Sequence, residues 1–253
     1  MAPRTRMTGP VRVFKENVAA KMSNLGIGRG VHGRSMRQSS EEETHTLDAA
    51  PCEASPDSPL FRGVCIVGNG RSVLSQSAGP AIDNFATVLR FNDFQIAGFE
   101  KHVGSKTSVW VLSDWTIIKL LNKYPARTLP VLCAIPYRFM GKPYYATRRA
   151  EVEAQLTPSQ RKRVTFISME TAQDLIEGRN FGDRWPSSGL LTIMHVLAAH
   201  EQDRIHVHGF DFFKKIDGKI HYMEDSHTAN HHAAEEERIC LELVQQGRVK
   251  FLL

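Results

Sequence analysis

The hydrophobic positions follow two alternating patterns from about residue 61 to the end of the chain. Short, uninterrupted runs of apolar and β-branched residues, bounded by glycine, proline or polar residues, predict buried strands. Longer stretches in which apolar residues recur every three or four positions predict helices between them. The predicted strands are residues 64–67, 87–91, 107–112, 130–135, 164–168, 204–208 and 249–252. The predicted helices are residues 116–122, 145–155, 172–177, 188–199 and 233–246.

This alternation of strands and helices indicates how the sheet is built. Strands that are separated by helices at this spacing form a mostly parallel sheet with helices on both faces. The stretch is also long enough to bury one substantial core. We therefore predict a single α/β domain over residues 61–253, with a mostly parallel central sheet flanked by helices.

Glycine and polar residues gather immediately after three of the predicted strands. They form the segments Gly68-Asn69-Gly70, Asn92-Asp93 and Gly209-Phe210-Asp211. Ligands of open α/β sheets bind beyond the carboxyl ends of the strands, where such segments lie. We expect the functional site at this edge of the sheet.

Residues 1–60 have a different composition from the rest of the chain. The first 40 residues contain eight Lys or Arg and one acidic residue, and the next 20 contain six acidic residues and no Lys or Arg. A segment so poor in apolar residues cannot bury enough surface to offset its ordering entropy. We predict a disordered, basic-then-acidic tail over residues 1–60, with a targeting peptide as the alternative.

The charge, the hydropathy and the cysteines exclude several classes of protein. The whole chain has a net charge of +5, and residues 61–253 alone have a net charge near +4. Such a mildly basic domain suits an anionic small-molecule ligand better than a nucleic acid. No run of 18 apolar residues is present, so we predict no transmembrane segment in this chain. Four cysteines in 253 residues are too few for a disulfide scaffold.

Two segments have the chemistry of an anion site. The loop of residues 68–70 can bring backbone amides to an anion, although Val73 replaces the third glycine of a dinucleotide fingerprint and no Gly-Lys-Ser/Thr ending is present. Residues 187–189, Ser-Ser-Gly, precede a predicted helix. Their hydroxyls and amides are suited to a phosphate or carboxylate, but they also suit an ordinary helix N-cap.

The histidines form the most concentrated group of titratable residues. Six of the eleven lie within 27 residues: His206, His208, His221, His227, His231 and His232. No cysteine pair accompanies them, so acid–base chemistry is favoured over zinc binding. We predict no metal site and no cofactor.

Taken in order, these segments resemble the motifs of the eukaryotic-type sialyltransferases, glycosyltransferase family 29. The large sialylmotif resembles residues 64–107, the small motif resembles residues 186–210, and the third motif, His-Tyr-x-Glu, resembles residues 221–224. The very small motif, His-x4-Glu, fits His232 with Glu237, and His231 with Glu236 fits the same spacing. We prefer His232 because the residues after Glu237 continue the family pattern better.

The resemblance implies a GT-A-like, Rossmann-like variant of the α/β fold and an inverting, metal-independent glycosyltransferase. Its donor would be CMP-sialic acid and its acceptor a hydroxyl of a glycan, with His232 as the general base and His221 stabilising the departing CMP. The residues expected to bind the donor are Asn69, Asn92, Ser187, Ser188 and Gly189. The alternatives are a non-catalytic nucleotide- or glycan-binding domain on the same fold, and another nucleotide-dependent α/β enzyme.

Two further expectations concern the cellular compartment. The positions of the family's disulfide correspond here to Val64 and Gln202, so we expect a domain without that disulfide, as in a reducing compartment. The resemblance implies the Golgi, whereas the lack of a visible signal anchor is compatible with a soluble, cytoplasmic protein.

Overall fold

A computed structural model of the chain describes residues 63–199, 204–223 and 231–252. The predicted tail over residues 1–60 lies outside these ranges, as do Gln202 and His227. Within them the strands are β1 (Val64–Val67), β2 (Thr87–Phe91), β3 (Val109–Ser113), β4 (Val131–Ala134), β5 (Arg138–Phe139), β6 (Lys142–Pro143), β7 (Val164–Phe166), β8 (Ile205–His208) and β9 (Val249–Phe251). The helices are α1 (Gly79–Asp83), α2 (Glu100–Val103), α3 (Ile117–Lys123), α4 (Tyr145–Gln155), α5 (Pro158–Arg161), α6 (Met169–Ile176), α7 (Ser188–Ala199) and α8 (Ala233–Gln245), with a 3₁₀ helix over Arg71–Ser75.

A parallel sheet of seven strands forms the centre of the fold. Its strand order is β7-β4-β3-β2-β1-β8-β9, and each neighbouring pair is parallel. The short strands β5 and β6 form a separate antiparallel hairpin. The predicted α/β class, with a mostly parallel sheet flanked by helices, is confirmed, and all seven predicted strands are strands of this sheet.

Both faces of the sheet are covered, which explains why a central strand such as β1 consists of apolar residues only. Alternate side chains of a strand point to opposite faces. Accordingly, Val64 and Ile66 of β1 belong to the larger apolar cluster, while Cys65 and Val67 belong to the smaller one. A strand buried on both sides is mostly apolar at successive positions, and this pattern is readable in the sequence.

The chain order of the strands creates a crevice between β1 and β8. From β1 the chain proceeds outward to β7 and then crosses back to β8 on the other side of β1. The two loops that leave these strands touch each other, because the amide of Gly70 donates to the carbonyl of Gly209 at 2.9 Å. A Cβ atom on Gly68 would lie 2.4 Å from the same carbonyl oxygen. Glycine is therefore required where the two loops cross, at the usual ligand position of this architecture.

The cysteines of the described residues are free thiols in the core. Cys65, Cys133 and Cys240 are free and buried, and burial raises the pKa of the Cys65 and Cys240 thiols to about 12. Cys52 lies outside the described residues.

In the described part of the chain, no helix has the length and hydropathy needed to cross a membrane.

Candidate active site

A cavity of about 590 Å³ lies along the carboxyl edge of the sheet, at the crevice between β1 and β8. This volume is in the range of sites for small organic ligands. The loops after β1, β2, β3, β4 and β8 open into it, together with the start of α7. Six of the seven site residues predicted from the sequence line it: Asn69, Asn92, Ser187, Ser188, Gly189 and His221. His232 is not part of this lining, whereas its neighbour His231 is.

His221 is held beside the loop that follows β1. The amide of Tyr222 donates to the carbonyl of Asn69 at 3.0 Å, and the amide of Arg71 donates to the carbonyl of Ile220 at 3.1 Å. Tyr222 is buried, and its hydroxyl donates to the carbonyl of Gln95. This pairing places His221 opposite Gly70. A histidine and the amides of the glycine loop thus share one side of the cavity.

The two asparagines carry complementary hydrogen-bonding groups. Asn69 donates through Nδ2 to the carbonyl of Phe91 at 3.3 Å, which orients the amide, and its side-chain oxygen is a hydrogen-bond acceptor. Asn92 accepts through Oδ1 from the amide of Ser113 at 3.1 Å and from the hydroxyl of Thr116 at 2.8 Å, so it offers its NH₂ group. Asn92 has a φ of 49°, a conformation that Asn adopts more readily than most residues.

A buried carboxylate, Glu236, organises the start of α7. Its oxygens accept from the amide and the hydroxyl of Ser187, at 2.7 Å and 2.6 Å. Ser187 in turn accepts the amide of Leu190 at 3.2 Å, which caps the helix. Burial raises the pKa of Glu236 to about 7, although both bonds from Ser187 favour the ionised form. The hydroxyl of Ser187 is thus committed to Glu236, and Ser188 and Gly189 present the helix start to the cavity.

The ring of His231 is oriented by a hydrogen bond and by two aromatic neighbours. Its Nδ1 lies 3.1 Å from the carbonyl oxygen of Trp185, and a carbonyl can only accept, so Nδ1 carries the proton. In the neutral ring the basic lone pair is then on Nε2. The ring stacks on Phe213 with centroids 5.0 Å apart and meets the Trp185 ring edge-on at 6.0 Å. His231 is therefore oriented by contacts on two sides.

His232 caps the helix that follows it. Its Nδ1 accepts the amide of Glu235 at 3.2 Å and thereby caps α8. The lone pair on Nδ1 is used in that bond, and the neutral ring carries its proton on Nε2. Glu237, its partner in the preferred motif assignment, forms an ion pair with Lys214. Of the two alternatives that the spacing left open, the structure brings His231 and Glu236 to the cavity.

Several residues of the site were not singled out from the sequence. Asp114 and Trp115 follow β3, and Trp185 precedes the start of α7. Asp114 is buried, accepts the hydroxyl of Tyr144 at 2.7 Å and pairs with Arg148 at 3.3 Å, and burial raises its pKa. The first two were detectable, because they stand at a strand end like Asn92.

Two further histidines of the cluster, His206 and His208, lie away from the cavity. His206 and His208 are buried in β8, where they pair with positions on β1 and do not line the cavity. Over residues 63–199, 204–223 and 231–252, no group of three or more His, Cys, Asp or Glu side chains is placed to hold a metal ion.

A comparison with protein families agrees with this architecture. The family model described as glycosyltransferase family 29 (sialyltransferase) matches residues 17–248, which is most of the chain. The chain belongs to glycosyltransferase family 29. The match begins inside the segment that we predict to be a tail.

Named sialyltransferases resemble the chain over part of their length. CMP-N-acetylneuraminate-beta-galactosamide-alpha-2,3-sialyltransferase 4 of Pan troglodytes is 28% identical over 220 residues, which is 76% of this chain and 65% of that protein. CMP-N-acetylneuraminate-beta-1,4-galactoside alpha-2,3-sialyltransferase of Homo sapiens is 26% identical over 186 residues, which is 66% of this chain and 49% of that protein. The chain thus spans less than two thirds of the length of these relatives.

Solved structures of a mammalian sialyltransferase share the fold. A crystal structure of a mammalian sialyltransferase in complex with Gal-beta-1-3GalNAc-ortho-nitrophenol superposes with a TM-score of 0.55 at 20% identity, covering 76% of this chain and 69% of that one. A second mammalian sialyltransferase structure gives a TM-score of 0.56. The predicted resemblance to family 29 is confirmed by the family model, and these two structures agree with the predicted fold.

Proposed function

We propose that the protein is an inverting sialyltransferase that moves sialic acid from CMP-sialic acid to a hydroxyl of an acceptor glycan. The observation that carries this proposal is the convergence of an anion-binding helix start, a glycine loop and two histidines on one cavity. The names of the relatives point the same way, since they specify CMP-N-acetylneuraminate and a galactoside or galactosamide.

The donor is proposed to lie at the crevice between β1 and β8. CMP-sialic acid carries a phosphate and a carboxylate, and amides at the start of a helix and in a glycine loop bind such groups. Ser188 and Gly189 supply the first set of amides, and residues 68–70 supply the second. Asn69 offers an acceptor and Asn92 a donor to the polar edges of the nucleotide or sugar. Ser187 supports this arrangement indirectly, because it holds the helix start through Glu236.

His231 is proposed as the general base, in place of His232. Its Nε2 lone pair takes the proton of the acceptor hydroxyl while the hydroxyl oxygen forms a bond to the anomeric carbon. The bond from that carbon to the phosphate oxygen breaks, and its electron pair leaves with CMP. Attack from the face opposite to the leaving group inverts the anomeric configuration. The proton ends on His231, where the carbonyl of Trp185 continues to accept from Nδ1 and stabilises the imidazolium.

His221 is proposed to stabilise the leaving group. It stands opposite Gly70, where it can donate to the phosphate oxygen on which negative charge develops. The leaving group contains a single phosphate, so no diphosphate requires a divalent ion between its charges. We propose that transfer is independent of metal and of any cofactor, and that the protein acts in the Golgi as its family does.

The test is transfer by the purified full-length chain. CMP-sialic acid is incubated with and without a galactoside such as lactose, in the presence and absence of EDTA, and CMP and sialylated product are both measured. The proposal predicts that CMP is released in step with a sialylated galactoside and that EDTA leaves the rate unchanged. Tight CMP binding without transfer to any galactoside would identify a non-catalytic binding domain instead, and loss of turnover in EDTA that manganese or zinc restores would contradict metal independence.

A further inference from the structure

The loop that follows β8 contains a tight turn with two phenylalanines at its centre, which we call the Phe-Phe turn. The amide of Lys214 donates to the carbonyl of Asp211 at 3.0 Å, and Phe212 and Phe213 between them have φ angles of 49° and 59°. Two positive φ angles spanned by such a hydrogen bond are the mark of a type I′ turn. Asn, Asp and Gly are the usual residues at these positions, because a left-handed backbone brings the Cβ of other residues too close to the following carbonyl oxygen. The turn therefore holds both phenylalanines in a strained conformation.

The next turn of the same loop has the ordinary residues. Asp217 and Gly218 form its centre, with φ angles of 51° and 77°. The amide of Lys219 donates across it to the carbonyl of Ile216 at 3.1 Å. Of the five non-glycine residues with a positive φ in the described part of the chain, only the two phenylalanines are adjacent. Strained backbone persists where the surrounding structure holds it, and it is concentrated at functional sites.

Contacts on both sides fasten the Phe-Phe turn. Before it, the carboxylate of Asp211 accepts the amide of Ser72 at 2.8 Å, next to the glycine loop that follows β1. After it, Nζ of Lys214 lies 2.5 Å from a carboxylate oxygen of Glu237 in α8. The turn is thus fixed to the loop after β1 at one end and to α8 at the other.

The two rings of the turn have different surroundings. Phe212 packs against the larger apolar cluster, and its ring meets Phe251 of β9 edge-on with centroids 6.5 Å apart. Phe213 belongs to neither apolar cluster and lies half-buried in the lining of the cavity. Its ring stacks on the imidazole of His231, with centroids 5.0 Å apart and an interplanar angle of 28°. Packing of the core thus accounts for Phe212 but not for Phe213.

The contact with Phe213 complements the hydrogen bond on Nδ1 of His231. That bond, to the carbonyl of Trp185, fixes one atom of the imidazole, but carbonyl oxygens accept over a broad range of directions. Phe213 covers a face of the imidazole and so sets the plane of the ring, and with it the direction of the Nε2 lone pair. An aromatic face also attracts a cation, so the same contact favours the imidazolium that forms when the base takes a proton.

We propose that Phe213 is a positioning residue, and that the strained Phe-Phe turn places its ring against His231 so that Nε2 is directed at the acceptor hydroxyl. This assignment rests on the proposed function, in which His231 is the general base. Misplacement of a catalytic group by about 1 Å can slow a reaction roughly 10²-fold, so a turn that is unfavourable for folding is retained where it holds the imidazole. Removal of the ring should therefore relieve the turn and slow the enzyme.

Phe213→Gly and Phe213→Leu test this assignment, because both remove the aromatic ring and only glycine relieves the strain. Transfer from CMP-sialic acid to lactose and thermal unfolding are measured on the full-length protein. We expect both variants to lower kcat roughly 10- to 100-fold, with the KM for CMP-sialic acid within about twofold of the wild type. Phe213→Gly should melt at a higher temperature than Phe213→Leu. Phe213→Tyr keeps an aromatic ring and should keep most of the wild-type kcat.

Met140→Gly is the matched control for relief of strain. Met140 has a φ of 49° at the turn between β5 and β6, is 66% exposed and does not line the cavity. This substitution relieves the same kind of backbone strain without removing a ring from His231. It should leave kcat unchanged.

A second measurement reports on His231 without turnover. In nitrogen-15 NMR spectra of the full-length protein, the Nδ1–H signal of His231 is identified by its absence from His231→Ala. An imidazole that is held in place protects this proton from exchange with water. We expect the signal in the wild type and in Phe213→Tyr, and its loss in Phe213→Gly and Phe213→Leu.

The outcomes separate this assignment from the proposed function. The assignment of Phe213 is overturned if Phe213→Gly keeps the wild-type kcat, if Phe213→Tyr is as slow as Phe213→Gly, or if the Nδ1–H signal is the same, present or absent, in the wild type and Phe213→Gly. A wild-type protein that forms no sialylated lactose, but whose Nδ1–H signal is lost in Phe213→Gly, would contradict the proposed function alone.

Discussion

Substitution of either of two adjacent histidines, His231 or His232, should have a different effect on the protein. The ring of His231 lines the cavity and, in its neutral form, carries the lone pair on Nε2. In His232 the lone pair on Nδ1 accepts the amide of Glu235. His231→Ala removes the proposed base, and His232→Ala removes a helix cap. The two substitutions delete the same side chain at adjacent positions and should nevertheless fail in different assays.

The expected sizes of the two effects follow from these contacts. Loss of a positioned general base lowers kcat by roughly 10²–10⁴, or about 3–5 kcal/mol in activation free energy. Loss of an N-cap costs about 1 kcal/mol of stability, because one amide at the start of α8 loses its acceptor. In a domain of this size that cost lowers the melting temperature by about 2–4 °C.

The assay combines initial rates of CMP release with thermal unfolding of the same proteins. His231→Ala should be nearly inactive, with CMP binding retained. His232→Ala should remain active and melt a few degrees earlier. His232→Asn is the matched control, since an Asn side chain restores a cap without an imidazole, and it should recover the melting temperature. An inactive His232→Asn together with an active His231→Ala would refute this reasoning.

Three further predictions concern stability. Glu236 has a pKa of about 7 in the folded protein, against an ordinary value of 4.5, so the unfolded chain releases this proton at the lower pH. The free energy of unfolding should therefore fall by about 3 kcal/mol as the pH rises from 4.5 to 7. Glu236→Gln should flatten the dependence of the melting temperature on pH in this range, whereas Glu237→Gln should not. Gly209→Ala should lower the free energy of unfolding by about 2 kcal/mol or more, because the new Cβ would lie 2.6 Å from Val73 and the backbone has a φ of 69°. Gly178→Ala, at a similar φ of 74° but with open space around the new Cβ, should lower it less in the same denaturant titration. Reductant should change neither the melting temperature nor the rate, and a marked loss of either would show that a disulfide is needed.

The sheet could be predicted from the sequence because its strands are buried on both faces. Runs such as Val-Cys-Ile-Val in β1 are typical of strands that are buried on both faces of a parallel sheet. The one-turn helices, such as α1 and α5, and the hairpin of β5 and β6 were not predicted. Elements of two to five residues contain too few positions for a period to be visible.

The site could be predicted in part, because strand ends of a parallel sheet meet at one edge. That argument located Asn69 and Asn92 in the cavity. It could not choose between His231 and His232, since both satisfy the His-x4-Glu spacing. The choice depends on which ring meets the carbonyl of Trp185 and which caps α8, and these are tertiary contacts. The same is true of the bond between Glu236 and Ser187, whose partners are 49 residues apart.

The central claim is that this cavity transfers sialic acid with inversion, and the product itself tests it most directly. Purified full-length protein is incubated with CMP-sialic acid and lactose, and the first product formed is analysed by NMR alongside the CMP released. We predict a sialylated lactose whose anomeric configuration is opposite to that of the donor, with one CMP formed for each sialic acid transferred. A product that retains the donor's configuration, or CMP accompanied only by free sialic acid, would contradict the claim.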